Sequence, residues 1–307
     1  MKIAIVGSNG FIGGCLTEYI AKNTEHQLFL FGKSIQNKFP NLPYYQIQLI
    51  NDNELKLLFS NIDFIYYLAS STIPSSSWEN PILEVENNLI PFLNFTEKIA
   101  NCQIKKIIFV SSAGTIYGAT EQKVKEDFNK RPFSPYGIMK LTIEHFLYYY
   151  KIKSNLNYDI YRISNVYGNG QDTKKGLGII NTFLESILLS KKVNVFGDGN
   201  NVRNYIFIND VVKLLLHSIE TDYLKSNIYN LSSNDTISVN ELIDVIKTVI
   251  NIDFEIEHTK SRKSDNSIID IDNSKLLNEV SDFKFTSLHQ GLLETYTAIK
   301  QNLLKNN

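Results

Sequence analysis

One stretch near the start of the chain decides its fold: Ile3-Ala4-Ile5-Val6-Gly7-Ser8-Asn9-Gly10-Phe11-Ile12-Gly13. The run from Ile3 to Val6 is apolar throughout, which is typical of a parallel strand buried on both faces. Glycines spaced as GxxGxxG follow, and a helical pattern then continues to about Lys22. Glycines in that place permit a tight turn and let the backbone approach a pyrophosphate at the helix N-terminus. The stretch therefore predicts a strand–turn–helix unit that binds a dinucleotide.

An ordinary glycine-rich turn is the alternative interpretation of this motif. Its place directly after a buried strand favours the binding role. The candidate cofactor-binding residues in this unit are Gly7, Asn9, Gly10, Phe11, Ile12 and Gly13.

Strand and helix patterns alternate through the first half of the chain. Apolar runs that predict further strands lie at 28–31, 44–49, 64–68, 106–110 and 158–163. Such alternation implies right-handed βαβ units and a doubly wound parallel sheet, so we predict an α/β fold.

The patterns also predict how the chain divides. Residues 1–168 should form the dinucleotide-binding domain, and the segment 203–230 should return to it, with the strand around Arg203 joining the main sheet. Residues 169–202 and 231–307 have longer loops and a mixed pattern. We predict that they form a smaller C-terminal substrate-binding lobe.

Composition argues against several classes of function. The formal net charge of the 307 residues is -1 and no block of like charges stands out, which disfavours nucleic acid or an anionic membrane as partner. The apolar runs are short, so we expect no membrane span, and a strand at the N-terminus suggests no signal peptide. Two distant cysteines, Cys15 and Cys102, favour a reducing cytoplasm. The five histidines form no ligand cluster, so we expect no metal site.

The end of the second strand bears on the choice of cofactor. An NAD-binding fold usually places a carboxylate there to hold the ribose hydroxyls. This chain has Gly32-Lys33-Ser34 instead, so nothing would repel a 2′-phosphate and Lys33 offers it a cation. We expect NADP to be tolerated, and the balance favours NADP over NAD. The alternative is that Lys33 points to solvent and NAD is held through other contacts.

A tyrosine and a lysine open a helix in the middle of the chain. Tyr136 and Lys140 follow Ser134 and Pro135, and a spacing of four residues puts them on one helix face. A free phenol has a pKa near ~10, and lowering it to roughly 7 takes about 4 kcal/mol. The lysine together with a positively charged nicotinamide could supply that. By itself the YxxxK pattern fits equally well a surface tyrosine beside a solvated lysine.

The motifs occur together in one order. These are GxxGxxG from Gly7, a serine-rich strand end at Ser112, YxxxK from Tyr136, RxxNxYG from Arg162 to Gly168 and GDG…RNY from Gly197 to Tyr205. Over nearly the whole chain this set resembles the extended short-chain dehydrogenase/reductase family, of the nucleotide-sugar epimerase and dehydratase type. The UDP-glucose 4-epimerase-like branch is the most similar. The resemblance implies a Rossmann domain.

The resemblance also implies catalytic roles. Tyr136 would be the base or acid at the reacting sugar hydroxyl, and Lys140 would lower its pKa and hold the nicotinamide ribose. Ser112 would hydrogen-bond the same hydroxyl. The family often has a third hydroxyl residue where Ala113 stands, so Thr115 is the alternative to Ser112.

Further residues would bind ligands if the resemblance holds. The dinucleotide would lie against Lys33, Leu68, Ala69, Ser70 and Asn88, together with Gln48, which replaces the aspartate that often contacts adenine. The nucleotide sugar would be held by Thr72, Ser112, Asn165, Arg203 and Arg262, with both arginines facing its diphosphate. The usual RDY is here Arg203-Asn204-Tyr205, which removes a charge near the site.

Three functions follow from these expectations. The first is a nucleotide-sugar 4-epimerase that works through a transient 4-keto sugar with bound NAD(P). The second is an NADPH-dependent reductase of a nucleotide 4-keto-6-deoxysugar, and the third is a non-catalytic NAD(P)-binding regulator.

The helices at 81–101 and 135–151 carry more apolar positions than one face holds, which predicts a homodimer.

Overall fold

The computed structural model describes residues 1–72, 77–120, 122–173, 178–220, 224–260 and 270–306. These residues form two compact units. The first unit comprises Met1–Ile116, Pro132–Arg162 and Val212–Tyr229, and the second comprises Tyr117–Arg131, Ile163–Val211 and Asn230–Asn307.

The described residues contain the following strands. They are β1 (Lys2–Val6), β2 (Gln27–Gly32), β3 (Tyr44–Gln46), β4 (Phe64–Tyr67), β5 (Lys106–Ser112), β6 (Tyr158–Ile163), β7 (Asn165–Tyr167), β8 (Val193–Phe196), β9 (Val202–Phe207), β10 (Asn227–Leu231), β11 (Thr236–Ser238) and β12 (Ile256–Thr259).

The helices alternate with these strands. They are α1 (Phe11–Asn23), α2 (Asp52–Phe59), α3 (Pro81–Glu84), α4 (Ile90–Ile99), α5 (Ala113–Ile116), α6 (Pro135–Ser154), α7 (Ile179–Leu188), α8 (Ile208–Glu220), α9 (Val239–Ile250), α10 (Ser274–Glu279) and α11 (Leu288–Asn306). A π-helical turn, Val85–Leu89, joins α3 to α4. Within the described ranges no helix is long and apolar enough to span a bilayer.

A seven-stranded sheet organises the first unit, with the strand order β10-β6-β5-β4-β1-β2-β3. β1 pairs in parallel with β2 on one side and with β4 on the other, so the chain reverses its direction of winding between β1 and β4. Open α/β sheets bind ligands outside the carboxyl ends of the strands at such a switch point. The predicted doubly wound sheet is confirmed, and its switch point lies directly after the Ile3–Val6 strand.

Aromatic side chains fill the core of this unit. The Phe59 ring on α2 lies 5.0 Å from the Phe31 ring of β2 and 5.2 Å from the Phe95 ring of α4. Phe92 in turn lies 5.1 Å from Tyr67 of β4. Because aromatic rings bury large apolar areas, this chain of contacts fixes α2 and α4 against one face of the sheet.

Helix α6 begins where the sequence predicted. The Ser134 hydroxyl caps it by accepting a bond of 3.1 Å from the backbone N–H of Gly137, and Pro135 occupies the first turn. The helix ends at Asn155, whose φ of 55° is left-handed. These two ends fix the helical register that carries Tyr136 and Lys140.

Two small sheets occur among the described residues of the second unit. β9 pairs in parallel with β7 and antiparallel with β11, and β8 pairs with β12. The prediction that the strand around Arg203 joins the main sheet is therefore wrong, although residues 212–229 do return to the first unit. The strand that joins the main sheet is β10. The partners of β9 have three residues each, and strands that short show no alternation in the sequence.

Two other boundaries differ from the prediction. Residues 117–131 and 163–168 group with the second unit, not with the dinucleotide-binding domain. The strand expected over 44–49 ends at Gln46, and a 3₁₀ turn, Ile47–Leu49, follows it.

A buried ion pair ties β5 to β6. The Lys106 Nζ lies 2.8 Å from an oxygen of Asp159, and the two side chains are 1% and 2% exposed. The Asp159 carboxylate also accepts a bond from the backbone N–H of Asn227. Removing one partner of such a pair leaves a buried charge without its counter-ion.

We therefore expect Lys106→Met to lower the free energy of unfolding by about 3–5 kcal/mol. Lys105→Met is the matched control, because Lys105 pairs with Asp63 at partly exposed positions, where a pair is worth about 1 kcal/mol or less. Equilibrium denaturation in urea measures both, and the double variant Lys106→Met/Asp159→Asn should recover part of the loss. Equal effects of the two single variants would contradict the argument.

Candidate active site

The glycine-rich loop after β1 packs against the end of β4. Gly7 has a φ of +97°, and a Cβ on it would lie 2.8 Å from the Ala69 nitrogen and 2.9 Å from the Leu68 carbonyl carbon. A Cβ on Gly13 would lie 2.2 Å from the Gly7 oxygen. Side chains at these two positions would force the loop away from the switch point. The structure thus brings Leu68 and Ala69 next to the predicted phosphate-binding loop.

Polar groups at this loop suit a dinucleotide. The Ser8 side chain is fully buried, and its hydroxyl has no hydrogen-bond partner among the described residues. Gly10 is the N-cap residue of α1. It has no side chain that could accept a hydrogen bond from the first N–H groups of the helix. A pyrophosphate at a helix N-terminus would accept hydrogen bonds from such donors. The loop residues therefore fit the cofactor that the sequence predicted.

The Tyr44 hydroxyl lies beside the end of the second strand, where a carboxylate would usually stand. A Cβ on Gly32 would lie 2.6 Å from the Tyr44 hydroxyl, which donates to the Ser34 carbonyl at 2.7 Å. The Asn9 amide donates to this hydroxyl at 3.3 Å and to the Gln36 carbonyl at 2.6 Å. Asn9 therefore links the glycine-rich loop to the loop that follows β2.

The two other residues predicted near the adenosine are exposed. The Lys33 Nζ lies 3.5 Å from the Asn87 carbonyl oxygen. Gln48, predicted to contact adenine in place of an aspartate, lies in the 3₁₀ turn and donates its amide to the Lys33 carbonyl at 2.9 Å. Both side chains thus stand beside the end of β2.

Asn88 braces the loop that follows β4. Its Oδ1 accepts bonds from the Ser71 N–H at 2.8 Å and the Ser71 hydroxyl at 3.0 Å. Its Nδ2 donates to the Thr72 hydroxyl at 2.9 Å and to a Glu84 oxygen at 3.1 Å. Asn88 lies in the π-helical turn, a feature that is frequent at functional sites. The amide is engaged on both sides, so Asn88 holds Thr72 and the chain beside Ser70 in place.

Lys140 and Tyr136 lie on one face of α6, as predicted. The Lys140 side chain is 4% exposed, and its Nζ donates to the Val110 carbonyl at 3.0 Å. The same nitrogen lies 4.8 Å from the centroid of the Phe109 ring and 5.5 Å from that of Tyr136. The ammonium group therefore contacts β5 and lies close to the Tyr136 ring.

Burial dominates the electrostatics of this pair. It lowers the pKa of Lys140 to about 8, although the carboxylates of Glu84 and Glu144 act to raise it. Burial also raises the pKa of Tyr136, the nearby Glu84 raises it further, and a hydrogen bond with Ser70 lowers it. In the protein alone the phenol is thus a proton donor. The lowered phenol pKa implied by the family resemblance requires positive charge beyond that of Lys140.

Hydroxyl groups cluster at the end of β5. Ser112 is the last residue of the strand and is partly exposed, whereas Thr115 is buried in α5 and its hydroxyl has no partner among the described residues. A Cβ on Gly137 would lie 2.5 Å from the Thr115 carbonyl oxygen, so the start of α6 packs closely on α5. Ser112 is the more accessible of the two candidates for the catalytic hydroxyl.

The predicted substrate residues of the second unit lie on neighbouring strands. Asn165 begins β7 and donates its amide to the Asn204 carbonyl at 3.0 Å. Arg203 lies on β9 and donates to the Val202 carbonyl at 2.8 Å. Arg262, also predicted to bind substrate, lies outside the described residues.

Asn204, which replaces the usual aspartate, has a structural role in this unit. It is buried, its amide donates to the Thr236 hydroxyl, and its oxygen accepts a bond of 2.8 Å from the Ile271 N–H. An amide supplies the donor and the acceptor at once, which an ionised carboxylate does not.

Sequence reasoning missed Tyr44 and Glu84. Tyr44 gave no signal, because only the folded chain places its hydroxyl over Gly32. Glu84 did give one: it stands four residues before Asn88, and side chains four apart meet on a helix face.

Comparisons with known proteins identify the family of the chain. Residues 3–232 match the model of the NAD dependent epimerase/dehydratase family. A Methanocaldococcus jannaschii protein with a provisional assignment as UDP-glucose 4-epimerase is 31% identical over 86% of this chain and 87% of its own. The dTDP-4-dehydro-6-deoxyglucose reductase of Escherichia coli is 29% identical over 81% of this chain and 82% of its own.

A solved structure covers almost the whole chain. The crystal structure of the UDP-glucose 4-epimerase of Thermotoga maritima with UDP-glucose has a TM-score of 0.91 and 27% identity, over 99% of this chain and 100% of that one. The family resemblance that the motifs predicted is confirmed: the chain belongs to the NAD dependent epimerase/dehydratase family.

Proposed function

We propose that this protein is a nucleotide-sugar 4-epimerase that acts through a transient 4-keto sugar. One observation carries the proposal: the Lys140 ammonium lies 5.5 Å from the centre of the Tyr136 ring, on a helix that packs against the end of β5. The family membership and the relatives named as 4-epimerases support it.

The residues of the chain divide the chemistry as follows. Tyr136 exchanges a proton with the sugar 4-hydroxyl, and Ser112 hydrogen-bonds that hydroxyl and helps to relay the proton. Lys140 would hold the nicotinamide ribose of a bound dinucleotide and would stabilise the phenolate of Tyr136 while it exists. A bound dinucleotide would supply the hydride chemistry at C4, as acceptor first and as donor to the other face afterwards. The pocket must let the 4-keto sugar turn over between these two transfers.

A 4,6-dehydratase would need more than this set. That reaction requires an additional acid and base to remove the 5-proton and expel the 6-hydroxyl. Family dehydratases place an Asp-Glu pair just after the catalytic hydroxyl residue. Here Ala113 and Gly114 follow Ser112 and carry no titratable side chain.

A 4-keto-reductase is the second candidate, and the end of β2 favours it. Gly32 leaves no carboxylate there, so NADPH would meet no repulsion at its 2′-phosphate. Such a reductase consumes one reduced dinucleotide for each turnover, whereas an epimerase recycles its hydride. The intact set of Ser112, Tyr136 and Lys140 argues against the non-catalytic regulator.

A substrate panel separates the two candidates. The protein is incubated with UDP-, dTDP-, GDP- and CDP-sugars, and mass spectrometry and NMR identify the products. An epimer of unchanged mass supports the epimerase. Loss of NADPH in proportion to a 4-keto sugar supports the reductase.

We expect Tyr136→Phe to lower turnover by about 10²–10⁴-fold, which is the usual worth of a general acid–base group. Dinucleotide binding should stay within a few-fold of wild type, because the phenol contributes little of the binding surface. Tyr148→Phe is the matched control, since Tyr148 is exposed on the same helix. Steady-state rates and calorimetry make the measurement. A Tyr136→Phe enzyme that keeps more than about half of the normal rate refutes the assignment.

The dinucleotide preference forms a further part of the proposal: NADP(H) binds about as well as NAD. The Tyr44 hydroxyl and the Lys33 ammonium stand at the end of β2, where a carboxylate would repel the 2′-phosphate. A neutral hydroxyl and a cation both tolerate that phosphate.

Calorimetry on cofactor-stripped protein should therefore give dissociation constants for NADP and NAD within about tenfold of each other. Lys33→Ala should weaken NADP and leave NAD unchanged, so NAD binding by this variant is the internal control. Gly32→Asp/Tyr44→Val, which restores the carboxylate and makes room for it, should weaken NADP far more than NAD. Wild-type protein that binds NAD more than tenfold tighter, a difference of about 1.4 kcal/mol, contradicts the argument.

The protein also forms a homodimer in this proposal. Two helical segments of the first unit contact each other, and each carries exposed apolar side chains. The segment of α3, the π-helical turn and α4 carries Ile82, Leu83, Val85 and Ile90. Helix α6 carries Ile138, Tyr148, Tyr149 and Ile152. Large exposed apolar patches are uncommon on monomers. A second copy of the same surface, related by a two-fold axis, would cover this patch.

We expect light scattering at micromolar concentration to give twice the 35.2 kDa of one chain. Ile138→Glu/Ile152→Glu should shift the mass to that of one chain, because it places charges in the patch. Ile35→Glu changes an exposed isoleucine elsewhere in the first unit and should leave the mass unchanged. Wild-type protein with the mass of one chain would count against the dimer.

A further inference from the structure

The side-chain amide of Asn88 has one orientation that its neighbours allow. The residue is 6% exposed and lies in the π-helical turn. Its Oδ1 accepts a bond of 2.8 Å from the Ser71 backbone N–H, a group that can only donate. Its Nδ2 donates to Oε2 of Glu84 at 3.1 Å, and an ionised carboxylate can only accept. Exchanging the amide oxygen and nitrogen would break both bonds, so two independent neighbours fix the orientation.

The orientation of Asn88 sets the direction of the hydrogen bonds at two hydroxyl groups. The Ser71 hydroxyl lies 3.0 Å from the amide oxygen, so it donates its proton to Asn88. The Thr72 hydroxyl lies 2.9 Å from the amide nitrogen, so it accepts a proton and keeps its own. That proton has no acceptor among the described residues, and Thr72 is only half-buried. Thr72 therefore has a hydrogen-bond donor to offer a ligand, whereas the proton of Ser71 is already used.

Glu84 supplies the buried acceptor that holds the Asn88 amide. Its residue is 1% exposed and ends α3 four residues before Asn88, so the two side chains meet across one turn. Its Oε1 is buried and has no hydrogen-bond partner within the described ranges. Without the carboxylate, one N–H of the buried amide would lack an acceptor, which is unfavourable. Glu84 thus stabilises the same orientation of Asn88 that the Ser71 N–H requires.

We propose that Asn88 and Glu84 are positioning residues of the substrate site: they fix the hydrogen-bond direction so that the Thr72 hydroxyl presents its proton to an acceptor oxygen of the nucleotide sugar. This proposal rests on the proposed function and on the substrate role that the motifs predicted for Thr72. Asn88 then acts through Thr72, and its own amide is fully used within the protein.

The first test reads the Asn88 amide without any substrate. The protein is labelled with asparagine that carries ¹⁵N in its side-chain amide, and the Asn88 signal is assigned by its loss in Asn88→Asp. Its protons should exchange with deuterium at least about tenfold more slowly than those of the exposed Asn53. Glu84→Met removes the acceptor and should raise the Asn88 rate about tenfold. Glu86→Met changes an exposed neighbour and should leave the rate unchanged.

The second test reverses the direction of the hydrogen bonds and keeps their number. In Glu84→Gln/Asn88→Asp, the new glutamine amide can donate to the new carboxylate, which can still accept from Ser71. A carboxylate has no proton to give, so the Thr72 hydroxyl must donate to it and its proton is lost to the substrate. We expect KM for the nucleotide sugar identified by the substrate panel to rise about tenfold, with kcat within a few-fold of wild type. A purely structural role predicts a wild-type KM for this variant.

A variant of Thr72 itself tests the same proton without touching the buried residues. Thr72→Val removes the hydroxyl and keeps the shape of the side chain, so KM should rise about tenfold in an otherwise wild-type chain. In the Glu84→Gln/Asn88→Asp background it should change KM little, because the proton is already lost there. Thr72→Ser keeps the hydroxyl and should lose much less than Thr72→Val. If the double variant does not fold, Thr72→Val decides the matter, and a wild-type KM refutes the proposal.

The outcomes separate this proposal from the proposed function. An Asn88 amide that exchanges as fast as that of Asn53 shows that the positioning role is wrong, whatever reaction the wild type catalyses. If the wild type acts on no nucleotide sugar, the 4-epimerase is refuted, and the exchange rates still decide whether Glu84 holds Asn88. If the wild type is an epimerase and the folded double variant keeps the wild-type KM, only the positioning role is refuted.

Discussion

A backbone contact sets the geometry of the first unit: the loop at Gly7 lies against the chain at Leu68 and Ala69 with no room for a Cβ between them. The same loop closes on itself at Gly13. Because β1 and β4 are paired neighbours, this contact places the N-terminus of α1 at the switch point of the sheet. It also fixes the start of the segment that Asn88 braces. A single steric constraint thus positions the phosphate loop and the wall of the site beside it.

The buried charges among the described residues of the first unit are of two kinds: some form direct ion pairs, and one, the Lys140 ammonium, does not contact a carboxylate directly. Lys106 with Asp159, and Arg162 with Glu144, are buried pairs with short direct contacts, and they hold elements together. Lys140 has a carbonyl and aromatic rings around its ammonium, so burial lowers its pKa. A fully paired lysine would keep its usual pKa and respond little to a ligand. The incomplete pairing of Lys140 therefore suits the role proposed for it beside the dinucleotide.

The sequence predicted the features that repeat or that follow a local rule. The strand over Ile3–Val6, the turn and helix after it and the helix start at Ser134–Pro135 each depend on neighbours in the chain, and each is confirmed. The sheet to which β9 belongs is set by its pairing with β7 and β11. These strands are too short to show alternation of apolar and polar residues in the sequence. The Tyr44 hydroxyl over Gly32 arises only from folding. Local chemistry could be predicted, whereas contacts between distant residues could not.

The end of β2 links cofactor choice to reaction type. Asn9 donates to the Gln36 carbonyl and to the Tyr44 hydroxyl, so the loop after β2 is tied to the loop that would hold the pyrophosphate. Ties of this kind favour a dinucleotide that stays bound, since exit would require the loop to open. An epimerase can retain its dinucleotide because the hydride returns to the substrate, whereas a reductase must exchange it every turnover. The tied loop therefore favours the epimerase, and the missing carboxylate at Gly32 lets it retain NADP as well as NAD.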